Sequence, residues 1–121
     1  LNLFLKILEK PGAPAKAPEV LEVGPKCCEI AWEPPATDGG SPITGYHVER
    51  CDMSGVRWMP VNKTPVKETK LKLTDLMEDM PYSFRVKAEN KEGVGAPSPA
   101  SEQIIAAPES VNSLKKNHIE G

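Results

Sequence analysis

The sequence predicts an all-β fold, a seven-stranded antiparallel sandwich, and three observations predict it. Residues 82–89 alternate without a break: Tyr82, Phe84, Val86 and Ala88 are apolar, and Ser83, Arg85, Lys87 and Glu89 are polar. That period of two marks a strand with one face in a core and the other in water. Clusters of Gly, Pro, Asn, Asp and Ser recur about every ten residues, the spacing of turns between short strands. Thirteen prolines and nine glycines in 121 residues leave little room for long helices.

Taken in order, Leu1, Leu3, Leu5 and Ile7 share one parity and read as a strand, which Lys10-Pro11-Gly12-Ala13-Pro14 stops abruptly. Residues 1–13 therefore look like the last strand of a preceding module with its linker, or a cloning remnant. Without partners of its own, such a strand is expected to fray or to pair at an edge. The sandwich is expected over residues 14–107. Its first strand is Pro18 to Gly24, with proline at the start as edge strands tolerate. In the second, Cys28, Ile30 and Trp32 face one way and Cys27, Glu29, Ala31 and Glu33 the other, until Pro34-Pro35 ends it.

Asp38-Gly39-Gly40-Ser41-Pro42 is a dense turn signal. The third strand, Ile43 to Cys51, points Tyr46 and Val48 inward and His47 and Glu49 outward. Ser54-Gly55 turns the chain into a short segment, Val56 to Val61, carrying Trp58. Leu71 and Leu73 share a parity in the strand leading to Leu76. After a polar corner comes the long strand through Tyr82, then Asn90-Lys91-Glu92-Gly93-Val94-Gly95, whose residues tolerate positive φ in a hairpin. Ser98 to Ala107 is expected as the last strand. Seven strands in this order suit an immunoglobulin-like sandwich.

The chain resembles a fibronectin type III module over Pro14 to Ala107. The resemblance rests on Trp32 followed by Glu33-Pro34-Pro35, on DGGSPITGYHVER at residues 38–50, and on Trp58. It continues through Leu76 with Tyr82, FRVKAEN at 84–90 and GVGAPS at 93–98. The Leu76/Tyr82 pair matches the tyrosine corner, in which the phenol reaches back to a backbone group. One departure is Asp79-Met80-Pro81, where such modules usually carry glycine, a small polar residue and an acidic one. The DGGSPITGY and AENKEGVG runs resemble modules of giant sarcomeric proteins of the titin, myosin-binding protein C and twitchin kind. The expected core is Trp32, Tyr46, Val48, Leu76, Tyr82, Phe84 and Val86.

Several function classes lack a basis. Seventeen acidic residues against fifteen basic ones give a net charge of −2, so the composition supports neither nucleic acid nor an anionic membrane as partner. No apolar run reaches the roughly eighteen residues of a membrane span, and LNLFLKIL lacks the basic start and cleavage site of a signal peptide. No nucleophile elbow, HExxH or phosphate-cradling loop is present, so neither an enzyme nor a cofactor is expected. His47 and Cys51 share a strand face but lie about 13 Å apart at roughly 3.3 Å per residue, too far to converge on one metal ion. Three cysteines, Cys27, Cys28 and Cys51, two of them adjacent, point to free thiols in a reducing compartment. Cys27 faces outward and is the candidate redox thiol. Asn62-Lys63-Thr64 fits the glycosylation acceptor pattern, which would matter in an extracellular protein.

The expected role is therefore non-enzymatic. The resemblance implies a module in a tandem array of a cytoplasmic muscle or cytoskeletal scaffold, serving as spacer and docking surface. Its partners would be neighbouring immunoglobulin and fibronectin modules and, at a filament, myosin or another sarcomeric protein; the isolated module is expected to be monomeric. The candidate contact residues are Trp58, His47, Glu49, Arg85 and Lys87. The competing expectation is an extracellular adhesion or receptor module that binds a protein ligand. Residues 108–121 read as a tail, in which Val111, Leu114, His118 and Ile119 would line one side of a short helix.

Overall fold

The computed structural model describes residues 7–52, 56–108 and 111–112. Most of the expected N-terminal strand, the Ser54-Gly55 turn, and the expected tail helix beyond Asn112 lie outside the described residues. Two antiparallel sheets face each other. One holds β1 (Glu19–Val23), β2 (Cys28–Ala31) and β5 (Lys70–Leu73), in the order β1-β2-β5. The other holds β3 (Gly45–Cys51), β4 (Trp58–Pro60), β6 (Pro81–Asn90) and β7 (Gly93–Val94), in the order β4-β3-β6-β7, and β8 (Ile104–Ile105) also pairs with β6.

The alternation read from the sequence is the alternation of burial. Along β6, Tyr82, Phe84, Val86 and Ala88 are buried, and the residues between them are half-buried on the outer face. They meet Cys28, Ile30 and Trp32 from the opposite sheet, with Tyr46, Val48, Leu73, Leu76 and Ile104 completing the cluster. Trp32 sets its ring edge-on to Tyr46 at 5.6 Å between centroids, and Tyr82 stacks on Phe84 at 6.4 Å. Both arrangements suit the charge distribution of aromatic rings. Among the described residues, Trp32 Nε1 is the buried side-chain polar atom left without a hydrogen bond.

The corner before β6 is closed by Tyr82, whose hydroxyl accepts a hydrogen bond from the Met77 amide at 2.9 Å. The turn that permits this places Asp79 at φ 66°, and the Met80 amide reaches back to the Met77 carbonyl. Aspartate is one of the few side chains that tolerate this left-handed conformation.

The last strand differs from expectation. Ser98 to Ala107 is not a continuous strand: the edge of β6 is covered by β7 at one end and by β8 at the other. Between them the amides of Gly95, Ser98 and Ser101 donate to the carbonyls of Ala88, Val86 and Phe84. Three residues of this segment thus pass for every two of β6. Pro97 and Pro99 carry no N–H and cannot continue a ladder. Serine side chains take over the acceptor role: the Phe84 amide donates to Ser101 Oγ at 2.9 Å, and the Val86 amide to Ser98 Oγ at 3.0 Å. Both serines are buried. At the far end Asn112 brackets Ile105, accepting from its amide and donating to its carbonyl.

Glu9 and Ala106 lie at opposite ends of the sandwich. The Glu9 carbonyl is bonded by Asn90 at the end of β6, and the Ala106 backbone is bonded to Asp79 and Met80 just before its start. Ten residues of β6 at roughly 3.3 Å each place these points about 30 Å apart.

Candidate functional site: the outer face of the larger sheet

Register decides what the outer face carries. Glu49 lies opposite Arg85, His47 opposite Lys87, and Cys51 opposite both Ser83 and Trp58. Because directly paired residues project to the same side of a sheet, the five candidate contact residues Trp58, His47, Glu49, Arg85 and Lys87 come together on one surface. Glu89, at the end of the same row, joins them.

The surface is held by its own charges. Arg85 Nε donates to Glu49 Oε1 at 2.7 Å and Lys87 Nζ to Glu49 Oε2 at 3.2 Å. His47 Nε2 and Glu89 Oε1 form a second close pair. The Arg85 guanidinium also lies over the Trp58 ring, 4.4 Å from its centroid, a cation–π contact. Trp58 is half-buried under this cover rather than standing free. The Glu49 side chain keeps 15% of its surface exposed. Its burial pulls the carboxyl pKa upward, yet hydrogen bonds and charge from Arg85 and Lys87 outweigh that and hold it below the ordinary value. Being partly desolvated, this pair is worth more than a fully exposed one.

The core residues read from the sequence, Trp32, Tyr46, Val48, Leu76, Tyr82, Phe84 and Val86, are all buried beneath this face. Burial raises the Tyr46 phenol pKa. Cys27 is half-exposed at the turn before β2, whereas Cys28 and Cys51 are buried; all three are free. Burial pushes the Cys28 thiol up to about 12, and the neighbouring Cys27 adds to this, so Cys28 stays protonated and inert. Cys51 lies on the outer side of the sheet, covered rather than exposed. Among the described residues no group of three His, Cys, Asp or Glu is placed to hold a metal ion.

Two residues with structural work went unnoticed in the sequence. Asn62, read only as a glycosylation pattern, accepts from the Val48 amide and donates both amide hydrogens, to the Tyr46 and Thr64 carbonyls. It thereby extends the edge beside β3. Asn90 donates to the carbonyls of Glu9 and Asp38 and accepts from the Glu92 amide. Neither leaves a periodic signal. The run Asn90 to Gly95 is expected to supply positive φ in the hairpin. Gly93 does so, at 133°, while Gly95 is required because a Cβ there would stand 2.1 Å from the Pro11 carbonyl oxygen.

A family profile described as fibronectin type III domain matches residues 12–104. The chain belongs to the fibronectin type III family. Over 105 residues, 87% of its length, it is 42% identical to human cardiac-type myosin-binding protein C, of which it spans 8%. It is 39% identical to human myomesin-2 over 93 residues, 76% of this chain and 6% of that protein. A multidomain crystal structure from titin superposes with a TM-score of 0.72 at 36% identity, covering 84% of this chain and 32% of the titin fragment. The module thus spans less than a tenth of each of these two curated relatives, and its likeness is to one portion of much longer proteins.

Proposed function

We propose that this module is a non-enzymatic spacer and docking unit in a tandem array of a cytoplasmic muscle or cytoskeletal scaffold. The observation that carries the reading is the separation of Glu9 from Ala106, about 30 Å along β6. A sandwich built this way joins its neighbours end to end and leaves both sheet faces free. The relatives support the muscle setting, being a myosin-binding protein, a myomesin and titin. The outer face of β3, β4 and β6 is the docking surface, with Trp58 as its apolar centre and the Glu49–Arg85–Lys87 and His47–Glu89 pairs around it. A rigid aromatic clasped by an arginine suits a protein partner better than a flexible charge cluster does.

Co-sedimentation of the module with reconstituted myosin filaments tests this. Unmodified protein should pellet with the filaments, and both Trp58→Ala and Arg85→Glu should weaken binding at least about fivefold, since losing an interface anchor costs upward of about 1 kcal/mol. Equal binding by both variants would remove the face from the proposal, and no binding at all would remove myosin. Asn62 separates the competing extracellular reading. Both hydrogens of its amide are used, so a glycan there would displace a bond that supports β3; a glycan found on Asn62 by mass spectrometry would overturn the cytoplasmic setting.

A further inference from the structure

The chain's incoming segment does not hang free. The Glu9 amide donates to the Gly39 carbonyl at 2.9 Å, and the Gly12 amide to the Thr37 carbonyl at 3.0 Å. From the other side, Asn90 Nδ2 donates to the Glu9 carbonyl at 2.8 Å and to the Asp38 carbonyl at 2.7 Å. Asn90 is 2% exposed, so its amide is committed to these two partners. Pro11 is buried, and the Lys10 stem runs across Gly93.

The surrounding glycines make the room. A Cβ on Gly39 would stand 2.1 Å from the Glu9 carbonyl oxygen, on Gly95 2.1 Å from that of Pro11, and on Gly12 2.5 Å from Thr37 Oγ1. The first two contacts are with backbone, so a side chain at Gly39 or Gly95 fits only if the segment leaves, whereas Thr37 can turn its hydroxyl aside. Two hairpin-like loops far apart in sequence, 37–40 and 90–95, therefore form a channel shaped to residues 9–12.

We propose that residues 9–12 are a strap built into the module, which sets the direction in which the chain arrives and denies a preceding folded unit free rotation. A connection of Gly, Ala and Pro would otherwise act as a semi-flexible spacer. Clamping its last residues to β6 and to the 37–40 turn turns the junction into part of the folded body. In the proposed array the segment joins this module to its predecessor, so the partner is the unit ahead of it in the same chain. That consequence rests on the array reading; the strap itself does not.

Amide hydrogen exchange and ¹⁵N relaxation on the 121-residue chain test the strap. The Glu9 and Gly12 amides should exchange at least roughly 100-fold slower than in a free peptide and relax like the β6 backbone, as closed rather than frayed segments do. Gly95→Ala should return both amides to near free-peptide rates while Val48, Phe84 and Val86 stay protected. Asn90→Asp keeps the acceptor for Glu92 but loses both donated bonds, and should release the strap in the same way. Free-peptide exchange at Glu9 and Gly12 in the unmodified chain would overturn the proposal, as would full protection surviving in both variants. In a longer chain that carries a preceding unit, tumbling of that unit independently of β6 while Glu9 and Gly12 stay protected would overturn the restraint on rotation and leave the array reading standing. A parent chain with no folded unit ahead of residue 9 would defeat the array reading and leave the clamped segment standing.

Discussion

Replacing Tyr82 with phenylalanine deletes one oxygen and leaves the ring where it is. The ring is 4% exposed, stacks on Phe84 and carries the Arg50 guanidinium 5.6 Å above its centroid; phenylalanine keeps these contacts. What is lost is the acceptor for the Met77 amide at 2.9 Å. A net hydrogen bond is worth about 1 kcal/mol, and an amide left buried without a partner costs about 1–3 kcal/mol. The Met77 side chain is 66% exposed, so water can approach that turn, and the lower figure applies: about 1 kcal/mol. For a domain of this size that lowers the melting midpoint by roughly 4–8 °C. In urea the transition followed by tryptophan fluorescence should shift to lower concentration with its slope unchanged, the mark of a stability change without altered compactness. An unchanged midpoint would refute the corner as a stabilising element. A loss as large as that of Tyr82→Ala would mean that the ring's contacts with Phe84 and Arg50 contribute nothing beyond the hydroxyl.

Other perturbations probe separate parts of the fold. Trp32→Ala should cost about 3–5 kcal/mol as a large-to-small change in the core, and a loss under about 1 kcal/mol would contradict the packing of β2 against β6. Ser101→Ala strands the buried Phe84 amide and should cost about 1–3 kcal/mol in a denaturant titration; a neutral result would mean water replaces the hydroxyl. Acid should weaken the outer face. The Glu49 carboxyl is lowered in the folded state, so its contribution is complete above the ordinary value of 4.5 and disappears as pH falls through the lower folded value. Glu49→Gln should flatten that part of the stability–pH curve, and a curve identical to that of the unmodified protein would show that the pair with Arg85 and Lys87 contributes nothing.

Local pattern carries a great deal here. The alternation at 82–89 placed four residues in the core and four on the outer face. The Leu76/Tyr82 spacing foretold a corner, and the Asp38-Gly39-Gly40 turn uses positive φ at both glycines. The polar parity of β3 and β6 also put Glu49, Arg85, Lys87 and His47 on the outward side. Their pairing, and the seat of Arg85 on Trp58, needed the register between strands.

By itself, then, the sequence determined the class of fold, the places of most strands along the chain and the inward residues of this module, because burial repeats every second residue and turns need particular side chains. Only the tertiary structure decided how the edges and ends are finished. The serines that replace a ladder beside Phe84 and Val86 lie 17 and 12 residues from their partners, and Asn90 is 81 residues from the Glu9 carbonyl it holds. Bonds from a side chain to a distant backbone group follow no period. The space left by Gly95 becomes meaningful only once Pro11 is seen to fill it.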